Sequence, residues 1–247
     1  MLTATLANAE ILKNSVGIIA EIIDEAVFNF DSNGMSLLSP DRNMVAVVDF
    51  RLLSAAFEDY KVDGEVKMGL NLQNLMSILK RVKGTDRITL SMPKNKLEMA
   101  VEGSGKRKFE IPILDIKRDK PPIEQLTFPG KVDLESAVFE DGIEDAQVVG
   151  DSVVFEANQD AFKVWSKGDT TSWQLDLQKG QQGIISLEAK ENIKSRYQLE
   201  YLRKMAKACK ISNQVTIEFG TDYPLRLSFK EIDKVNLNFI LAPLSEE

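Results

Sequence analysis

The chain has 247 residues with 43% hydrophobic side chains, enough for one large or two modest cores, and its net charge of −7 argues against simple coating of nucleic acid. It contains no histidine, which removes the usual general base, the commonest metal ligand and every Ser-His or Cys-His arrangement. Its single cysteine, Cys209, excludes an intrachain disulfide and falls in an amphipathic pattern, as a core filler would.

The opening MLTATLANAE lacks the basic and apolar regions of a signal peptide, and no apolar run reaches the roughly 18 residues of a membrane span, so an intracellular protein is expected. Residues 8–25 form an amphipathic stretch in which Leu12, Val16, Ile19 and Ile23 make one apolar stripe. Strand-like alternation follows at 44–50 and 66–70, and then a second helical stripe of Leu72, Leu75, Met76, Leu79 and Val82. Further strands are predicted at 87–92, 96–101 and 107–114.

Residues 115–134 are the most punctuated segment. Pro121, Pro122, Pro129 and Gly130 oppose regular structure, so an extended connector is expected there. Ile123, Leu126 and Phe128 are apolar within it; they either tack the connector onto the sheet beneath or form the rim of a docking pocket. Beyond it, Phe139, Ile143, Ala146 and Val149 mark a helix within 133–149, and strands are predicted at 161–167, 173–177 and 183–187. A last helical stripe of Leu199, Leu202, Ala206 and Cys209 precedes strands at 215–219, 225–229 and 235–241.

These elements repeat. Residues 71–91 realign on 198–218, with Leu72, Leu75, Lys80, Ile88 and Leu90 falling on Leu199, Leu202, Lys207, Val215 and Ile217. The stretch 8–25 matches 133–149 and VFNF at 27–30 matches VVFE at 153–156, so each half reads as helix, strands, helix, strands. One-sided helices of this kind cover one face of an antiparallel sheet.

No GxxxxGK[ST] or GxGxxG phosphate loop occurs. Glu140, Asp141, Glu144 and Asp145 are the densest acidic group, and on a helix 141 shares a face with 144 or 145 that could hold a divalent cation, although a solvated acidic face opposite Phe139 and Ile143 explains them more simply. Against the acidic mean stand Lys80, Arg81 and Lys83 on one helix, Arg203, Lys204, Lys207 and Lys210 on its repeat, Lys13 on the first helix, and a basic turn of Lys106, Arg107 and Lys108. Each is readable as a solvated face; repetition at matched positions favours a common surface suited to phosphates.

The phrases DRNMVAVVDFRL (41–52), NLQNLMSILK (71–80), IEQLTFP (123–129), YLRKMAK (201–207) and FILAPLSEE (239–247) resemble those of sliding clamps of the proliferating cell nuclear antigen family, of archaeal type. The resemblance implies an α+β chain of two like domains, each an antiparallel sheet with two helices, at 1–114 and 132–247 with a connector at 115–131. It further implies a closed trimeric ring of self or paralogue subunits around duplex DNA, located in the cytoplasm or nucleoid, with no catalysis, cofactor or membrane contact. DNA-facing residues carried over are Lys13, Lys80, Lys83, Lys108, Lys204, Lys207 and Lys210. Asp141 and Glu144 depart from the pattern, since family members often present basic residues there.

A pocket for partner peptides of the Q-x-x-hydrophobic-x-x-aromatic-aromatic kind would comprise Met44, Val45, Val47, Leu126, Phe128, Pro224, Leu241, Ala242 and Pro243. Through it a DNA polymerase, flap endonuclease and DNA ligase would dock, while a clamp loader would open the ring. Subunits would join by edge-to-edge sheet extension through Phe109, Ile111 and Ile113 on one side and Trp173, Leu175 and Leu177 on the other. Two other classes fit the residues in part: a carboxylate-dependent metal enzyme built on the acidic cluster, and a plain two-domain interaction module without a ring.

Overall fold

The computed structural model describes residues 1–117 and 120–245. Positions 118 and 119, within the predicted connector, and 246 and 247, within the predicted second domain, lie outside the described residues. The chain divides into two compact units: Met1–Met44 with Val48–Pro121 and Glu231–Leu237, and Val45–Val47 with Pro122–Lys230 and Asn238–Glu247.

The first half runs β1 (Leu2–Leu6), α1 (Glu10–Ile19), β2 (Glu25–Asp31), β3 (Gly34–Pro40), β4 (Ala46–Leu53), β5 (Asp59–Val62), β6 (Val66–Asn71), α2 (Leu72–Leu79), β7 (Arg87–Ser91), β8 (Lys96–Glu102) and β9 (Lys106–Pro112). The second runs β10 (Gly130–Glu135), α3 (Ser136–Val149), β11 (Ser152–Ala157), β12 (Ala161–Lys167), β13 (Ser172–Gln178), β14 (Ile184–Ala189), β15 (Ile193–Gln198), α4 (Leu199–Ala206), β16 (Gln214–Phe219), β17 (Leu225–Glu231) and β18 (Val235–Leu241). Strand orders repeat as well. β5-β1-β7-β8-β9 corresponds to β14-β10-β16-β17-β18, and β4-β3-β2-β6 to β13-β12-β11-β15.

Burial follows the two periods that the sequence displays. Along β8 the buried Leu97, Met99 and Val101 alternate with Glu98 and Ala100, which lie on the opposite face. On α2 the buried residues are Leu72, Leu75, Met76 and Leu79, and the Asn71 side chain caps the first turn by accepting from the Asn74 N–H at 2.9 Å. Its repeat α4 begins at Gln198 without a side-chain cap; Glu200 in its first turn and Arg203 and Lys204 in its last suit the helix dipole instead.

The two cores differ in kind. In the second unit Phe155 meets Phe162, Tyr197 and Phe219 at ring separations of 5.7, 5.6 and 6.1 Å, all edge-on as ring quadrupoles prefer. The Tyr197 hydroxyl donates to the Tyr223 carbonyl at 2.8 Å, and burial raises its phenol above the ordinary range. In the first unit Phe28, which strand register makes equivalent to Phe155, pairs with β6 through Met68; Phe30 and Phe50 are buried with it, without a comparable three-way ring cluster around Phe28. Cys209 is half-buried; desolvation, with the nearby Glu140 charge, pushes its thiol up to about 12, as suits a packed rather than a reactive sulfur.

Three boundaries differ from the sequence expectation. The amphipathic stretch 133–149 begins as strand, because Asp133 to Glu135 pair with β16 before α3 starts at Ser136. Gly130, expected to oppose regular structure, opens β10: it pairs with Ala189 and Phe219, and a Cβ there would stand 2.1 Å from Ile193 Cδ1. Glycine at that point permits close packing rather than breaking a strand. The predicted strand 107–114 stops at Pro112, whose missing N–H ends the ladder opposite Lys96.

Candidate functional site

The basic residues are sorted by what their neighbours already hold. Lys80, Lys83, Lys207 and Lys210 are exposed at the ends of α2 and α4. Lys13 is partly buried and donates to the Val82 carbonyl at 2.8 Å, so its ammonium ties α1 to the end of α2. Lys204 pairs with Glu200 at 2.7 Å and lies 5.4 Å from the Tyr201 ring centre.

The predicted basic turn is dismantled by the sheet. Arg107 turns towards the core side and binds Asp86 at 2.6 Å and the Arg81 carbonyl at 3.0 Å. Lys106 pairs with Glu102 at 3.3 Å, while Lys108 points to the other face of β9 and meets Glu98 at 2.7 Å. That hydrogen bond holds the Lys108 ammonium above its usual range. Strand alternation places Lys108 on the face of β9 opposite Arg107, Phe109 and Ile111, whose side packs on α2. Asp86 is 4% exposed and organises this corner, and no motif in the sequence singled it out.

β9 and β13 are the edge strands of their sheets. On β13, Trp173 and Leu175 are half-buried under α3, where a Cβ on Gly142 would come within 3.4 Å of Leu175 and 3.5 Å of Trp173. Of the six residues expected at a subunit contact, Phe109, Ile113, Trp173 and Leu175 keep partly exposed side chains. Ile111 and Leu177 are core residues at 3% and 5% exposure, so only their backbone edge is presented. Ile113 lies past the end of β9.

The expected peptide pocket falls almost wholly in the second unit. Ala242 donates its N–H to the Val45 carbonyl at 2.9 Å, and Val45, Val47, Ala242 and Pro243 are all partly exposed beside it. Pro224, Leu126 and Phe128 are half-buried, and a short 3-10 turn at Ile123–Gln125 delivers the last two. Phe128 meets Tyr223 edge-on at 5.8 Å, and the Arg226 guanidinium lies 4.6 Å from its ring centre. Leu241 is 1% exposed and belongs to the core beneath rather than to the accessible wall. Met44 belongs to the first unit and is 72% exposed, with a φ of 60° that only the tight turn after Asp41 accounts for.

Sequence reasoning missed Tyr223 and Arg226. Their only signal was position: Arg226 is the polar partner in the alternation of β17 and Tyr223 precedes it in the turn. Along α3, Asp141, Glu144 and Asp145 are exposed with no basic residue on the helix. Among the described residues no group of three or more His, Cys, Asp or Glu side chains is placed to hold a metal ion.

Two like α+β units with antiparallel sheets and two helices apiece define a clamp-type fold. The family model for the N-terminal domain of proliferating cell nuclear antigen matches residues 1–118, and that for its C-terminal domain matches 122–244. The chain belongs to the proliferating cell nuclear antigen family. It is 34% identical over 229 residues to a DNA polymerase sliding clamp of Thermococcus gammatolerans, covering 92% of each chain. A DNA polymerase sliding clamp of Nanoarchaeum equitans is 30% identical over 246 residues, covering 98% of this chain and 99% of that one. The crystal structure of PCNA from Thermococcus kodakaraensis shares the fold with a TM-score of 0.91 at 24% identity, covering 99% of this chain and all of the other.

Proposed function

We infer that the chain is a DNA sliding clamp that acts as a polymerase processivity factor. The observation that carries this reading is that both domain models of the family match in succession, over 1–118 and 122–244. Its domains, taken as 1–114 and 132–247 joined by 115–131, would be the repeating parts of a closed ring. Three subunits, of self or of a paralogue, would join by pairing β9 of one with β13 of the next, which leaves no free sheet edge.

Retention on DNA is then topological. Lys80, Lys83, Lys207 and Lys210 supply weak, non-directional phosphate contacts that permit sliding, whereas base contacts would arrest it. This reconciles DNA work with a net charge of −7. A protein on chromosomal DNA works inside the cell. Val45, Val47, Leu126, Phe128, Pro224, Ala242 and Pro243 form the docking site for peptides bearing a glutamine and paired aromatics, by which polymerase, flap endonuclease and ligase would be recruited. A clamp loader would place the ring.

The test is retention by topology. Loaded onto closed circular DNA, the protein should stay bound through gel filtration and be lost when the circle is linearised, and it should lengthen the products of a clamp-dependent polymerase. Equal loss from circles and linear DNA would reject encirclement. Leu175→Glu, on the half-buried face of β13, should lower the mass in light scattering from a trimer towards the 27.7 kDa chain.

A further inference from the structure

The outer face of the second unit's sheet carries a row of alternating charge that ends at the connector. Strand register places Lys131 between Glu188 and Glu218, and Glu218 opposite Arg226. Arg226 is the last cation of the row and lies over the Phe128 ring, 4.6 Å from its centre. Its tie to Glu218 is loose: one nitrogen at 3.4 Å, from a group with five N–H donors. Both side chains are only about one quarter exposed, at 27% and 25%, so their charges are less screened than surface ones. Should an incoming carboxylate take Arg226, Glu218 keeps its one-quarter exposure to water and has Lys131, which pairs with Asp133 at 3.6 Å, as its register neighbour.

We propose that Arg226 selects among partner peptides, favouring those that carry a carboxylate beside their aromatic anchors. This rests on the reading of the connector site as a peptide pocket. Phe128 supplies the apolar wall for an aromatic anchor, and the guanidinium on its face offers the free donors of its fork to an acidic neighbour on the peptide. The whole-protein charge of −7 acts in the opposite sense, since it repels acidic peptides at a distance. A preference for acid can therefore only be local.

Two peptides decide it, identical in glutamine and paired aromatics, one with aspartate next to the aromatics and one with asparagine there. In calorimetry against the parent protein, the aspartate peptide should bind about fivefold tighter, the scale of one partly screened charge-assisted hydrogen bond, and the gap should narrow as salt is added. With Arg226→Gln the two peptides should bind alike. Arg226→Lys keeps the charge without the planar fork and should keep a preference of roughly twofold. Equal affinity of both peptides for the parent, an unchanged preference in the glutamine variant, or a lysine variant as indifferent as glutamine overturns the role of Arg226 while leaving the pocket standing. Failure of both peptides to bind the parent overturns the pocket itself, and this inference with it.

Discussion

Where β1 of the first unit sets the Thr5 hydroxyl against that of Thr89 at 3.0 Å, β10 of the second sets Asp133, with Thr216 at 2.5 Å and Ser186 at 2.6 Å. The pairs occupy equivalent places, Thr5 opposite Thr89 and Asp133 opposite Thr216. Burial works against the Asp133 charge, but the two hydroxyl donors and Lys131 outweigh it and hold the carboxyl below its usual range. A fold copied twice thus tolerates a neutral and an ionised solution at one site, provided that each polar group finds partners.

The helix pairs diverge in the same way. α1 sends Lys13 to the end of α2, whereas α3 carries Glu140, Asp141, Glu144 and Asp145 and no cation. Their buried faces still match, Leu12, Val16 and Ile19 on one and Phe139, Ile143 and Ala146 on the other. Packing constrains one side of each helix, and the side in water is left to function.

The largest expected effect tests the cores. Phe155→Ala should cost about 3–5 kcal/mol in urea unfolding, and Phe28→Ala less, because Phe155 alone loses three edge-on aromatic partners. A cost for Phe28→Ala equal to or above that for Phe155→Ala would show that the ring cluster around Phe155 adds nothing beyond ordinary burial.

The residues expected at the peptide pocket fall mostly in the second unit. Leu126→Ala with Phe128→Ala should weaken a glutamine-aromatic peptide roughly a hundredfold by calorimetry. Undiminished binding by the double variant would reduce both residues to anchors of the connector.

At the equivalent polar sites, Asp133→Ala should cost about 1–3 kcal/mol at neutral pH by leaving two partly buried hydroxyls without their acceptor, and Thr5→Val under about 1 kcal/mol. The folded carboxyl lies below its unfolded value of about 3.9, so the Asp133 contribution is present above that pH and lost as pH falls through the lower folded value. The gap between parent and Asp133→Ala in thermal melts should therefore close in strong acid; a gap independent of pH would assign the effect to packing.

The smallest effect separates the basic helix ends. Lys80→Ala with Lys83→Ala should reduce the salt slope of DNA retention by about 1–2, and Lys204→Ala with Lys207→Ala by about 1, since Lys204 is already engaged by Glu200 at 2.7 Å. A larger loss from the second pair would place the main phosphate contacts in the second unit.

The strand and helix periods were legible because burial imposes them: Leu72 through Leu79 and Leu199 through Ala206 align without a gap, with leucine at the first and fourth positions of both, and both are helices. Strands at 2–6, 34–40 and 59–62 escaped notice, since they are short or lack clean alternation. At the site, the partly exposed Leu126 and Phe128 were readable as apolar residues in a punctuated segment, whereas Arg226 and Tyr223 were not, being distant in sequence from the ring they cover.

The sequence by itself determined the doubled plan, the apolar faces and the absence of histidine chemistry, because composition and period are properties of the chain. Only the tertiary structure decided that Lys108 faces away from the helices, that Gly130 belongs to a strand and that Leu241 is a core residue. Each of those outcomes depends on which strand lies alongside and on which side a pleat turns, and a neighbour brought close by folding leaves no mark on local sequence.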